Sequence, residues 1–327
     1  MENKIAILGS GAMGTACASI LKENKQNVII YGINDQELDD LKKGYNSKYF
    51  QNKKLYEFEV TKNLEEAIKE ANYILIAIPT KFIPDVFFDL VKKINNKTII
   101  INVSKGFWPN STDFIHTKMD KIIKENPNIE GIVSLIGPSF AIDIINKNIT
   151  LINSVSKDIQ LAKKVKKLFS NEWFGVIINN DVIGAEVGST FKNVIAIASG
   201  MAEGLGYSTN TQAALLTIGL KEMQKYSLSL GARPETIYEL SGLGDLILTG
   251  LSDKSRNYCF GKSFFNKKID ENAITIEGLK ALEYIYAQNK DNNKIKLPLI
   301  NGLYKIVYNK ENPKEIIKGL MKNLITD

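Results

Sequence analysis

The chain is short of the residues that most often carry metal, disulfide and imidazole chemistry: it has one histidine, His116, and two cysteines, Cys17 and Cys259. Two cysteines cannot build a disulfide framework and lack the paired spacing of a zinc site, so both are expected to be reduced thiols and no metal site is expected. His116 falls in a helix-like stretch with no other ligand type at metal spacing; it reads as an ordinary helix residue, and histidine-based catalysis is set aside. Arginine is as scarce. Arg233 and Arg256 are the only two, and a planar, two-pronged grip on a phosphate or carboxylate must come from one of them. Long apolar runs are missing too: residues 73–79 and 98–103 stop far short of the roughly 18 residues a membrane-spanning helix needs, so no membrane span is expected. Met1-Glu2-Asn3-Lys4 leads straight into a strand-like segment without the hydrophobic stretch of a secretory signal, and a cytoplasmic location is expected.

What is present is an ordinary globular composition. With 44% hydrophobic and 24% charged residues and 8 prolines, the chain is neither disordered nor fibrous, and its 327 residues suffice for two cores. The 42 basic residues exceed the 36 acidic ones. The lysines come in scattered pairs (Lys42-Lys43, Lys92-Lys93, Lys163-Lys164, Lys166-Lys167) beside acidic or apolar residues. That is the pattern of solvated helix faces, and no nucleic-acid partner is expected.

Strand-like and helix-like patterns alternate through the first half. Strands are expected at 4–9, 27–31, 73–79, 98–103, 132–136, 151–156 and 175–179, with helices between them, one of them capped by Asn63. Such alternation predicts a mostly parallel sheet covered on both faces. From Val182 onward the strand signal stops, and helices are expected at 182–204, 211–230, 234–240, 256–265, 276–289, 297–307 and 313–323. The expected organisation is an α/β domain over residues 1–181 and an all-helical domain over 182–327.

Gly9-Ser10-Gly11-Ala12-Met13-Gly14 follows the first strand and opens a helix. In that context the first glycine permits the tight turn, the second lets the backbone approach a pyrophosphate, and the third lets helix and strand pack closely; the motif predicts dinucleotide binding. After the second strand, Tyr31-Gly32-Ile33-Asn34-Asp35 offers no arginine for a 2'-phosphate. Asp35 lies slightly late for a ribose 2'-hydroxyl, and NAD is favoured over NADP. Three further motifs carry polar groups. Gly137-Pro138-Ser139-Phe140-Ala141 and Ser104-Lys105-Gly106 each follow a strand, where open α/β folds bind ligands. Lys192 interrupts a small, apolar helix, where lost hydration would bring its pKa towards the range of proton transfer. Gly242-Leu243-Gly244-Asp245-Leu246, Thr249 and Ser255-Arg256-Asn257 combine an acid to orient a cation with a grip for an anion. Each also has a plain structural reading: a strand-to-helix turn, a surface or snorkelling lysine, a capped helix after a turn.

Taken in order, these motifs resemble those of the bacterial-type NAD(P)-dependent glycerol-3-phosphate dehydrogenases, and the resemblance spans nearly the whole chain, including Ile78-Pro79 with Phe82. It implies a Rossmann-like dinucleotide-binding domain before an all-helical substrate domain. It also implies interconversion of dihydroxyacetone phosphate and sn-glycerol 3-phosphate with NAD or NADP, supplying phospholipid synthesis, in a homodimer. By resemblance, Lys192 exchanges the proton at the substrate oxygen, while Lys105 and Asp245 polarise and orient. Ser255, Arg256, Asn257, Gly137 and Ser139 hold the phosphorylated substrate. Gly9, Ser10, Gly11, Ala12, Met13, Gly14, Phe82, Lys105, Ala141, Arg256 and Glu277 contact the cofactor. The chain departs from many members in having Ala12-Met13 for Ser-Trp, Ile33 for an arginine, and Tyr258 for an arginine after Ser-Arg-Asn. Competing readings are a ketopantoate reductase-like or β-hydroxyacid dehydrogenase-like enzyme, and a dinucleotide sensor without catalysis.

Overall fold

Short runs of isoleucine, leucine and valine make the middle of an eight-stranded sheet. In chain order the strands are β1 (Lys4–Leu8), β2 (Asn27–Tyr31), β3 (Glu59–Thr61), β4 (Tyr73–Ile76), β5 (Thr98–Asn102), β6 (Ile129–Ile136), β7 (Thr150–Val155) and β8 (Phe174–Asn179). They lie side by side as β3-β2-β1-β4-β5-β6-β7-β8, all neighbours parallel except β6 and β7. The structure is a computed structural model and describes residues 3–265, 276–292 and 295–326. The chain divides into two compact units, Met1–Val182 and Ile183–Asp327.

In the first unit the helices are α1 (Ala12–Glu23), α2 (Asp35–Lys42), α3 (Ser47–Phe50), α4 (Leu64–Ile68), α5 (Ile83–Lys93), α6 (Ile115–Ile122), α7 (Ala141–Ile145) and α8 (Ile159–Phe169). Side chains alternate across a strand, so β1 sends Ile5 and Ile7 to one face and Ala6 and Leu8 to the other. The first face meets Ile20 and Leu21 of α1 and Phe169 of α8; the second meets Phe87 of α5 and Met119 of α6. Both faces are thus dry, which is why β4 and β5 are buried at every residue and carry unbroken apolar runs rather than an alternation. Asn34, Asn63 and Asp158 cap α2, α4 and α8 by accepting first-turn amides.

The second unit is helical: α9 (Val182–Gly204), α10 (Thr209–Ser229), α11 (Asp245–Gly250), α12 (Arg256–Ser263), α13 (Glu277–Asn292), α14 (Pro298–Tyr308) and α15 (Pro313–Thr326). Glycines let α9 and α12 touch backbone to backbone. A Cβ would fall 2.1 Å from the Tyr258 carbonyl oxygen at Gly200, 2.3 Å from that of Lys262 at Gly204, and 2.1 Å from that of Ile197 at Gly261. The helix expected over 234–240 is instead a single 3-10 turn, Thr236–Tyr238, followed by a π turn, Leu240–Gly244. Gly242 sits so close to the Ile237 carbonyl, 2.1 Å from a would-be Cβ, that the chain folds back on itself where a continuous helix would have carried it away. The strand β3 and the one-turn α3 have too few residues to show a period in the sequence. No helix among the described residues is long and apolar enough to cross a membrane.

Candidate active site

In the first unit, four adjacent strands, β1, β4, β5 and β6, deliver their loops to one edge of the sheet. β1 lies between β2 and β4: the chain winds outward from β1 through β2 to β3 and then crosses back to β4 on the other side of β1, the reversal of strand order that opens a ligand crevice. Gly9, after β1, has φ +126°, and a Cβ there would lie 2.4 Å from the Ala77 carbonyl oxygen; at Gly14 it would lie 2.0 Å from the Gly9 carbonyl oxygen. Both glycines are therefore required by the packing. Gly11 differs: the nearest atom to its would-be Cβ is Tyr49 Oη at 3.8 Å. Gly11 is also the N-cap of α1 and has no side chain to bond the first-turn amides, the kind of helix start at which phosphates bind. Ala12, Met13 and Ala141 flank this turn, half-buried against the core. Phe82, in the loop after β4, is exposed, with Lys81 Nζ 4.7 Å from its ring centroid.

Asp35, the acid considered for ribose, is exposed and pairs with Lys62 at 2.8 Å. The acid beside the glycine loop is Glu37, which is buried and accepts hydrogen bonds from Ser10 Oγ at 2.6 Å, Lys48 Nζ at 2.7 Å and Tyr49 Oη at 3.2 Å. Sequence reasoning missed it, although Glu37 stands at the capping-box position three residues after Asn34, whose Oδ1 accepts its amide at 3.0 Å.

Lys105 follows β5 between Ser104, whose amide donates to Asn102 Oδ1 at 3.0 Å, and Gly106, at φ +100°. After β6, Gly137 packs against β7, where a Cβ would meet Ile152 Cα at 2.9 Å, and Ser139 Oγ donates to the Gly137 carbonyl at 3.0 Å.

In the second unit, Lys192 projects from α9 and its Nζ lies 2.6 Å from Asp245 Oδ1 and 3.0 Å from Thr249 Oγ1. Lys192 is 6% exposed, Asp245 1% and Thr249 3%, so this is an ion pair withdrawn from water. Gly188, one turn before Lys192, permits the approach: a Cβ there would stand 2.4 Å from the Ser241 carbonyl oxygen. The π turn then ends where α11 begins, with Asp245 in its first turn and Thr249 one turn on, on the same helix face. Sequence reasoning gave Thr249 no role of its own; the i to i+4 spacing from Asp245 is the signal that could have found it.

A second cluster forms where α12 and α13 begin. Ser255 caps α12, its Oγ accepting the Tyr258 amide at 3.3 Å. Arg256 is exposed, with Nη2 3.6 Å from Glu277 Oε1, and Asn257 Oδ1 accepts the Gly278 amide at 3.0 Å. Tyr258 is buried; its hydroxyl donates to Glu203 and accepts from Gln212 Nε2 at 2.8 Å. It belongs to the helical core and offers no contact to an anion.

Two blocks of the chain match known families. Residues 4–162 match the N-terminal family described as NAD-dependent glycerol-3-phosphate dehydrogenase N-terminus, and residues 181–318 match its C-terminal counterpart. The chain is 48% identical to glycerol-3-phosphate dehydrogenase [NAD(P)+] of Mycoplasma mobile, over 94% of this chain and 92% of that protein. It belongs to the NAD-dependent glycerol-3-phosphate dehydrogenase family. A relative of the same name from Streptococcus uberis is 37% identical over 98% of this glycerol-3-phosphate dehydrogenase family member and 97% of its own length. Among solved structures, a glycerol-3-phosphate dehydrogenase from Coxiella burnetii is 28% identical, with TM-score 0.88 over 98% of this chain and 99% of that one. Membership favours the glycerol-3-phosphate dehydrogenase resemblance over the keto-acid reductase and sensor readings.

Proposed function

We propose that this glycerol-3-phosphate dehydrogenase family member interconverts dihydroxyacetone phosphate and sn-glycerol 3-phosphate with NAD(P). The observation that carries the reading is the buried cluster of Lys192, Asp245 and Thr249 in a chain of this family. The bound dinucleotide supplies or accepts the hydride. On ketone reduction an alkoxide develops at the substrate oxygen, and Lys192 gives it a proton, held for that purpose by Asp245 and Thr249. Lys105 polarises the same oxygen. Arg256 and Asn257 hold the phosphate, helped by Ser255, Gly137 and Ser139. The cofactor contacts are Gly9, Ser10, Gly11, Ala12, Met13, Gly14, Phe82, Lys105, Ala141, Arg256 and Glu277. Residues 1–181 act as the dinucleotide domain and 182–327 as the substrate domain. A homodimer in the cytoplasm, feeding phospholipid synthesis, completes the reading on the strength of the family resemblance. NAD is favoured over NADP because the segment after β2, Tyr31 to Asp35, offers no arginine for a 2'-phosphate.

Loss of reduced-nicotinamide absorbance with dihydroxyacetone phosphate as the sole ketone, run with NADH and NADPH in parallel, tests the reaction and the preference together. Turnover with neither, by folded protein, overturns the assignment. Arg256→Lys is expected to raise the Michaelis constant for dihydroxyacetone phosphate about tenfold or more, since an ammonium cannot reproduce a planar fork worth about 1.5–3 kcal/mol on a charged partner. An unchanged constant moves the phosphate to other residues.

A further inference from the structure

We propose that the buried chain His116–Ser134–Asn102 is a positioning device for Lys105, fixing the backbone on which that lysine stands. The inference rests on Lys105 acting at the reacting oxygen, as proposed above.

Asn102 is the last residue of β5 and pairs in register with Ser134 of β6. It shares a sheet face with Ile100, the face that α6 covers, and His116 is the second residue of α6. Asn102, Ser134 and His116 are 2%, 0% and 3% exposed. Polar groups so deep in an apolar layer cost free energy unless they are paired, and apolar residues of the same shape would stabilise the layer as well. Their presence asks what the chain ends on.

It ends on the peptide before Lys105. Asn102 Oδ1 accepts the Ser104 amide at 3.0 Å, and Asn102 Nδ2 donates to the Ser104 carbonyl at 3.0 Å and to Ser134 Oγ at 3.1 Å. The Ser104 amide can only donate, so the orientation of the Asn102 side chain is settled and both its amide hydrogens are used. Ser134 Oγ, accepting from Asn102, is also hydrogen-bonded to His116 Nδ1 at 2.8 Å. Burial pushes the His116 pKa down to about 4, so the imidazole in that bond is neutral. The other side of Lys105 is tied to the same helix: the Gly106 carbonyl accepts the amide of Ile115, the residue before His116, at 3.1 Å. Gly106 itself turns at φ +100° with no atom within 4 Å of a would-be Cβ, so glycine serves the turn there and no packing contact demands it. The first two residues of α6 therefore hold both flanks of Lys105, one directly and one through two buried side chains.

The test compares Asn102→Ala, His116→Phe, His116→Asn and Lys105→Met with the parent, in full-length protein, by turnover of dihydroxyacetone phosphate and by thermal melting. Phenylalanine keeps the ring volume and removes the hydrogen-bonding nitrogen; asparagine loses volume and offers an amide that can bond Ser134 Oγ, as donor or acceptor, from near the place of Nδ1. A purely structural role ranks His116→Phe above His116→Asn in both melting temperature and kcat. Positioning reverses the rank in kcat alone. We expect Asn102→Ala and His116→Phe to lower kcat about tenfold or more, as small misplacements of a reacting group do, with His116→Asn within about threefold of the parent. If Asn102→Ala fails to fold, the His116 pair still decides. Parental kcat in His116→Phe, alongside a loss of about a hundredfold in Lys105→Met, overturns the positioning role and leaves Lys105 in place. Parental kcat in Lys105→Met overturns the reading of Lys105, and this inference with it.

Discussion

Lys192→Met is expected to lower turnover of dihydroxyacetone phosphate about a thousandfold, within the range that a positioned general acid contributes, while NADH binding by fluorescence titration stays within about twofold. The split follows from placement. Lys192 lies in α9, bonded to Asp245 and Thr249, and the glycine loop that fits a pyrophosphate is at the end of β1. The variant should also melt earlier. Methionine matches the lysine stem but leaves the Asp245 carboxylate 1% exposed with its cation gone, a loss of the kind that costs about 3–5 kcal/mol. Asp245→Asn in the same background removes that stranded charge, so the double variant should regain part of the stability and none of the turnover. Turnover above a tenth of the parent in Lys192→Met would end the general-acid assignment.

The second large effect concerns stability. Glu222 of α10 is 2% exposed, and its carboxylate accepts the amides of Leu299 at 2.6 Å and Ile300 at 3.1 Å. Those are first-turn amides of α14, whose first residue, Pro298, has none to offer and whose own N-cap, Leu297, supplies no side-chain bond. Glu222 is thus a cap delivered from another helix. Burial raises its pKa from 4.5 to about 7, against the two amides and Lys225, which pull it down. A folded-state pKa above the unfolded one means the folded chain holds the proton more tightly. The associated stability is therefore fully present below about pH 4.5 and is lost as pH climbs through about 7, some 3 kcal/mol in all. Glu222→Gln keeps a carbonyl acceptor and cannot ionise. Urea unfolding at several pH values between 5 and 8 should show the parent losing stability relative to the variant by up to that amount. Parallel curves for the two proteins would mean that Glu222 does not titrate in this range.

How much of this could be read from the sequence follows from how local each feature is. The glycine turn, the apolar strands and the cap at Asn63 are written in fewer than a dozen consecutive residues, and the structure has them. The Lys192–Asp245 pair joins residues 53 apart, and the motifs containing them were visible while their meeting was not. Glu37 was passed over because Asp35 sits nearer the strand end, yet the turn of α2 brings the later residue inwards. His116 read as an ordinary helix residue because no other ligand type stands near it at metal spacing; its partner, Ser134, is 18 residues away on a strand. The π turn at 240–244 was hidden because its glycines signal a break without saying what replaces the helix.

The glycine contacts between α9 and α12 bear on which substrates are accepted. α9 carries Lys192, and α12 opens with Arg256 and Asn257. Where two helices meet main chain to main chain, no rotamer lies between them to be adjusted, and their spacing is set by van der Waals contact between the two backbones. The span from the lysine helix to the start of the arginine helix is then a fixed caliper. With Lys192 and Arg256 in the roles proposed above, a three-carbon phosphate is measured against it in one piece, and a ketone lengthened by a single carbon between carbonyl and phosphate would meet a jaw with no slack to give.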